Sequence, residues 1–272
     1  MDLAGIDPTA LIAHVCSMTG DHERIKGHLL IMAPFPHHTA LQLQPTDAMH
    51  LSIPTLLAIA TASSAALVPH LDVPGCPEKA SVRYDRSIPN LTDFPLTQVD
   101  ICWGEKDIEI DFTAYNETNF FYNSSLSTND PIWAYEVMEA FLAPGTDNPT
   151  TYFEFEVAPN NITFNAFIFN PSKVREEGAA FERYYIQDPT AAGLVSTTKL
   201  DKQKQIWKST ACLPLSLWSI EEGRARNTKW RMNFFRTVVS PESFPEQTYG
   251  GWSSPDAANF HKTPFFGSVR FV

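Results

Sequence analysis

The chain has 272 residues, 43% of them hydrophobic and 19% charged. That is enough apolar content to close a packed core and too little charge for a disordered chain. The net charge of −11 argues against nucleic acid or an anionic membrane surface as partner, since both need a basic face, and no apolar run reaches the ~18 residues of a spanning helix.

Residues 1–48 show no sustained period and read as an upstream extension without regular structure. Met49 then opens M-H-L-S-I-P-T-L-L-A-I-A-T-A-S-S-A-A-L, an apolar stretch followed by small residues. Segment 49–66 therefore reads as a secretory signal, with its hydrophobic part over 51–60 and cleavage after Ala62, Ala65 or Ala66. Its lead-in is weak, His50 being the only basic residue there, and a buried N-terminal helix would also fit. A signal in this place leaves two alternatives. Translation starts at Met49, or Met1 is real and the stretch is an internal signal or anchor.

Export to the secretory lumen or the exterior agrees with four N-x-S/T sequons, at Asn90, Asn116, Asn123 and Asn161, which predict a glycoprotein. Beyond the signal-like segment three cysteines remain, Cys76, Cys102 and Cys212. They predict one disulfide, Cys76 with Cys102 or with Cys212, and one free thiol. Spacing does not choose the pair.

Residues 70–272 read as a single domain. Asp107–Tyr115 alternates, with Ile108, Ile110 and Phe112 opposite Glu109, Asp111 and Thr113. Thr151–Val157 sets Phe153, Phe155 and Val157 opposite Glu154 and Glu156. Residues 162–169 and 230–239 are apolar on both faces, as central strands under a second layer are. Turn residues separate these runs, and 134–141 reads as another strand. Only 173–183 and 201–207 leave room for a helical turn or two. The pattern predicts an all-β fold, an antiparallel β-sandwich of jelly-roll type with short helical insertions.

Few residues suit bond-making chemistry. There is no G-x-S-x-G, and the only histidine beyond position 70 is His261, so a Ser-His-Asp triad would have to use it. No cofactor motif appears. One histidine and scattered acids give a transition metal little support, and no metal is assigned, although calcium on carboxylate loops stays open. Glu136 and Glu139 are three apart and point to opposite faces of a strand, as do Arg231 and Arg236. A buried carboxylate needs an arginine partner or a raised pKa, so these groups are either cross-strand ion pairs or ligand-facing. Trp103 and Trp230 lie in strand patterns and read as core. Trp133 and Trp252 lie beside turns, where a ring stacks on a ligand or plugs the sandwich end.

An ordered set of phrases runs through the C-terminal half: W-A-Y-E-V-M-E-A-F (133–141), Y-F-E-F-E-V-A-P (152–159), W-R-M-N-F-F-R (230–236), W-S-S-P (252–255) and F-H-K-T-P-F-F-G (260–267). Their order resembles the family 9-like carbohydrate-binding domains, a β-sandwich related to the DOMON group, over residues 98–272. That resemblance implies sugar binding by aromatic and polar residues on one concave sheet. The chain departs from the family's usual setting, since no catalytic domain accompanies it. In size, signal and aromatic β-rich character it is also similar to the small hetero-Diels–Alderases of tropolone–sesquiterpene pathways, though no quotable motif carries that likeness.

Two readings follow. In the leading one the protein is a cofactor-independent pericyclase joining a tropolone-derived quinone methide to a humulene-type terpene. Glu136, Arg236 and His261 would be catalytic, with Glu139 and Arg231 as further candidates and Trp133, Tyr135, Trp230 and Trp252 as walls. In the alternative it is a lectin-like protein. Trp133 and Trp252 would then be sugar platforms, and Asn233, Arg236 and Glu136 would bond hydroxyls. A structural or effector protein without a ligand is the third possibility. Arg236 is expected to face the ligand and Arg231 to serve stability. The sequence does not give the oligomeric state.

Overall fold

The computed structural model describes Cys16 and residues 68–272. Apart from Cys16, the extension over 1–48 and the signal-like segment over 49–66 lie outside the described residues. Among the described residues thirteen strands follow in chain order: β1 (His70–Val73), β2 (Ala80–Arg86), β3 (Asp93–Trp103), β4 (Asp107–Tyr115), β5 (Val137–Pro144), β6 (Thr151–Val157), β7 (Thr163–Phe169), β8 (Glu182–Tyr185), β9 (Val195–Asp201), β10 (Ile206–Pro214), β11 (Lys229–Val238), β12 (Thr248–Gly251) and β13 (Gly267–Phe271). They form two sheets. The larger runs β1-β13-β11-β5-β6-β7-β8, with β12 added beside β11, and the smaller runs β2-β3-β4-β10-β9. All pairings are antiparallel except β1 with β13.

Side-chain alternation closes the sandwich. Ile108, Ile110 and Phe112 of β4 point inward and meet Met138 and Leu142 of β5, Phe153 and Phe155 of β6, and Met232 and Phe234 of β11. Each such side chain taken out of water stabilises the fold by about 1.5–3 kcal/mol. The outer face of the large sheet is dry as well. Phe141, Tyr152, Phe164 and Phe235 lie there under Ile88, Ile132 and Phe266, which come from loops and short turns. This explains why 162–169 and 230–239 read apolar on both sides: the covering layer is loop, not a third sheet.

Several expectations need correction. The strand expected from 134 begins at Val137, because Ile132–Ala134 forms a 3-10 turn; Glu136 therefore precedes β5. Residues 173–183 do not wind into a helix. Lys173, Arg175 and Gly178 take positive φ (65°, 50° and 77°), which interrupts a right-handed helix, and the segment ends in β8. Residues 201–207 close the β9–β10 hairpin, with Asp201 paired to Ile206. The short helical pieces are instead 3-10 turns at Ile132–Ala134, Leu215–Trp218 and Thr263–Phe265.

Cys76 is bonded to Cys102, with their Cα atoms 5.1 Å apart, one of the two pairings left open by the sequence. In the chain that keeps residue 16, Cys212 is bonded to Cys16, and no described cysteine is free. The free thiol was expected of a chain that begins beyond residue 66, which lacks that partner.

Candidate functional site

Alternation along β11 splits the expected site residues between two environments. Trp230, Met232, Phe234 and Arg236 face the interior of the sandwich, while Asn233 and Phe235 face outward with Arg231. Arg236 was expected at a rim, facing a ligand, but it is 1% exposed between the sheets. Its Nη2 donates to Glu117 Oε2 at 2.6 Å. Glu117 Oε1 in turn accepts the Asn119 and Phe120 N–H groups at 2.7 and 2.9 Å. The segment carrying Glu117 closes over the end of the strands, so there is no rim at Arg236. Glu136 completes this nest. It is fully buried and accepts the Phe121 N–H at 2.9 Å. Loss of water, and then the neighbouring Glu117, push its carboxyl up to about 8.

Other expected ligand residues also belong to packing. Trp230 is buried edge-on against Trp218 and stacked on Phe271. Trp252 lies against Phe234 and over Gly267. Asn233 staples its neighbour loop, donating to the Ser253 carbonyl at 2.8 Å and accepting the Ser253 N–H at 3.0 Å. Tyr135 stacks on Phe244. Arg231 donates to Asn148 and to the Pro264 carbonyl and, among the described residues, forms no ion pair with a glutamate of the neighbouring strand.

The residues that do converge lie on the outer face of the large sheet. A pocket of about 330 Å³ there brings together Trp133, Glu139 and His261 of the expected set. It also takes in Glu154, Glu156, Arg175, Arg183, Tyr249 and Phe260, none of which was singled out. Its floor follows from register. Glu139 of β5 lies directly across from Glu156 of β6, and Glu154 is two residues along on the same face. Donor oxygens of all three fall within 4.8 Å of one another, in side chains 2%, 5% and 1% exposed. Like charges placed across a strand pair destabilise it. Burial pushes the Glu154 carboxyl up to about 7, with a hydrogen bond from the Glu156 side chain and then Arg183 and Arg175 opposing the rise. Glu139 and Glu156 are raised well above the ordinary range by burial and then by their carboxylate neighbours.

The two arginines do not neutralise this floor. Arg175 lies over the Phe181 ring at 4.5 Å and Arg183 over Trp133 at 5.3 Å. Among the described residues, no ion pair joins either to the three carboxylates. His261 forms a wall. Its ring stacks on Phe141, and its Nδ1 is 2.7 Å from the Tyr152 hydroxyl. Burial, reinforced by Arg175 and Arg183, lowers its pKa to about 3, so it works as a neutral hydrogen-bonding group. A larger depression, about 600 Å³, lies over the outer face of the small sheet. In it Lys79 bonds Glu109 and Asp111, and Thr210 bonds Asp111.

The sequons differ in readiness. Asn90, Asn116 and Asn161 are exposed, and Asn123 is half-buried. The Asn123 amide donates to the Tyr135 hydroxyl, and that of Asn161 donates to the Ser196 carbonyl.

No family model matches the chain. An extracellular protein of Arthroderma benhamiae is 44% identical over 220 residues, which are 80% of this chain and 98% of that protein. The chain belongs to that extracellular protein family. Among solved structures, this extracellular protein is similar to a candidate carbohydrate-binding protein from Bacteroides uniformis, at 14% identity and a TM-score of 0.52, covering 75% of this chain and 97% of that one. The likeness is one of fold alone, a two-sheet β-sandwich. A family 9 carbohydrate-binding module from Caldicellulosiruptor kristjanssonii, in complex with glucose, aligns at 15% identity and a TM-score of 0.49, over 75% of this chain and 94% of that one.

Proposed function

We propose that this extracellular sandwich binds a sugar or similar polyhydroxylated small molecule in the pocket floored by Glu139, Glu154 and Glu156. The supporting observation is the composition of that pocket: carboxyl oxygens at the bottom, two arginines on aromatic rings at the side, and Trp133, Tyr249 and Phe260 around it. Hydroxyls donate to carboxylates and accept from guanidinium groups, while aromatic faces cover the apolar face of a pyranose. A volume of about 330 Å³ is at the small end for ligand sites. A purely hydrocarbon guest would leave the three carboxyls without partners, at a cost of a few kcal/mol each.

A second reading, the pericyclase, draws on one feature: carboxyl groups that burial keeps protonated beside an aromatic wall. Such an acid can protonate the departing hydroxyl of a hydroxymethyl tropolone; as the C–O bond breaks and water leaves, the resulting carboxylate takes up the tropolone O–H proton, leaving a neutral quinone methide for addition to a humulene-type alkene. In this reading the acid comes from the pocket floor rather than from Glu136, and Arg236 takes no part.

Glycan-array screening followed by calorimetry tests the two. Binding to at least one glycan is expected, and Trp133→Ala should weaken it about 30-fold, the effect of one aromatic anchor worth about 2 kcal/mol. A folded protein that binds no glycan but turns over a tropolone–terpene pair would transfer the conclusion to the second reading.

A further inference from the structure

Glu139, Glu154 and Glu156 stand side by side without a directly paired cation among the described residues, Arg175 and Arg183 acting on them only from a distance. The Thr237 hydroxyl reaches Glu139 Oε1 only at 3.5 Å. Among the described residues, Glu154 Oε2 and Glu156 Oε2 have no hydrogen-bond partner outside the cluster, although both side chains are at least nine-tenths buried. Buried acceptors of this kind are rarely left orphaned. We propose that these three glutamates form a binding site for one hard divalent cation of the Ca²⁺ class, open on its outer side to the pocket.

The geometry supports such an ion. Oxygens within 4.8 Å of one another can share a cation whose metal–oxygen distance is about 2.3–2.6 Å. An all-carboxylate donor set selects a hard ion over zinc or copper. Two donors are fixed by direct cross-strand pairing and the third by its place on the same strand, so the site is rigid before the ion arrives. The pocket above has room for the waters or hydroxyls that fill the remaining positions of a six- to eight-coordinate ion. Arg175 and Arg183 are held on aromatic rings and do not occupy the place of the ion. The other cluster of suitable residue types, Cys76, Cys102 and Glu109, is closed to metals because its sulfurs form a disulfide. The cation site stands on the three glutamates and does not rest on the sugar reading.

Equilibrium dialysis of the chelator-stripped, full-length protein against CaCl₂ alone provides the test. One ion per chain is expected, with Kd of about 10⁻⁴–10⁻³ M, as in extracellular modules. At ~10 mM CaCl₂ the melting temperature should rise by a few degrees. Glu154→Gln and Glu156→Gln should each weaken binding at least ~10-fold and abolish that rise, whereas Glu242→Gln, at an exposed site, should change neither. Absence of bound Ca²⁺, Mg²⁺ or Mn²⁺ at ~10 mM in the wild-type protein would overturn the proposal, whatever the variants do. Undiminished binding in the Glu154→Gln/Glu156→Gln double variant would overturn it too. Calcium binding without any glycan binding would count against the sugar reading alone.

Discussion

At the scale of single residues, Glu136 carries the clearest linkage between burial and pH. Its carboxyl lies between the sheets beside Glu117 and Arg236, and its pKa of about 8 exceeds the ~4.3 of a free glutamate. Between those values the folded chain holds a proton that the unfolded chain has released. Unfolding then gives up a proton, so stability falls as pH rises through this window, by at most about 1.4 kcal/mol per pH unit for one group. Glu136→Gln keeps the shape and an oxygen that can accept the Phe121 N–H, but cannot ionise. The variant should lose less stability than wild type between pH 6 and pH 8 in urea unfolding. Parallel stability profiles for the two proteins would show that Glu136 is not the group responsible. The same nest explains why Arg236 was misjudged. Alternation gave its face, but not the loop residue, Glu117, that closes over it from 119 positions away.

Among elements, β12 shows how backbone admits side chains. Gly251 lies opposite Phe235 of β11, and a Cβ on Gly251 would run into the Phe235 ring and Ile88; one on neighbouring Gly250 would meet Phe94. Gly251→Ala should therefore cost about 1–3 kcal/mol, the usual penalty of overpacking a filled core, read as a lower denaturation midpoint at unchanged slope. An unchanged midpoint would mean that the rings shift freely. Strands with strict alternation were legible in the sequence: β4 and β6 have the ends expected of them. Alternation also gave the two faces of β11 and of Glu136 against Glu139. The pocket was less legible. Glu154 and Glu156 looked like an ordinary solvent-facing side, because the loops that bury that side come from remote segments and carry no period. Register between β5 and β6, which sets Glu139 against Glu156, depends on pairing that a single strand's pattern does not encode.

For the molecule as a whole, the disulfides tie compartment to chain processing. The Cys76–Cys102 bond lies within the sandwich and is compatible with any start before it. The Cys16–Cys212 bond requires residue 16, whereas cleavage after Ala62, Ala65 or Ala66 would remove it and leave Cys212 without a partner. Start site and thiol count are thus coupled. Secreted chains that retain Cys16 should titrate no free thiol when denatured without reductant. Chains beginning beyond residue 66 should titrate one, and a peptide map should assign it to Cys212. In both forms a Cys76–Cys102 linked peptide should appear and vanish on reduction, since an extracellular compartment preserves such bonds. Intact mass with and without alkylation, followed by non-reducing peptide mapping, measures all three quantities on one sample. A chain starting past residue 66 with no titratable thiol would give Cys212 a different partner, and one retaining Cys16 with two would leave it with none; either result would break the coupling.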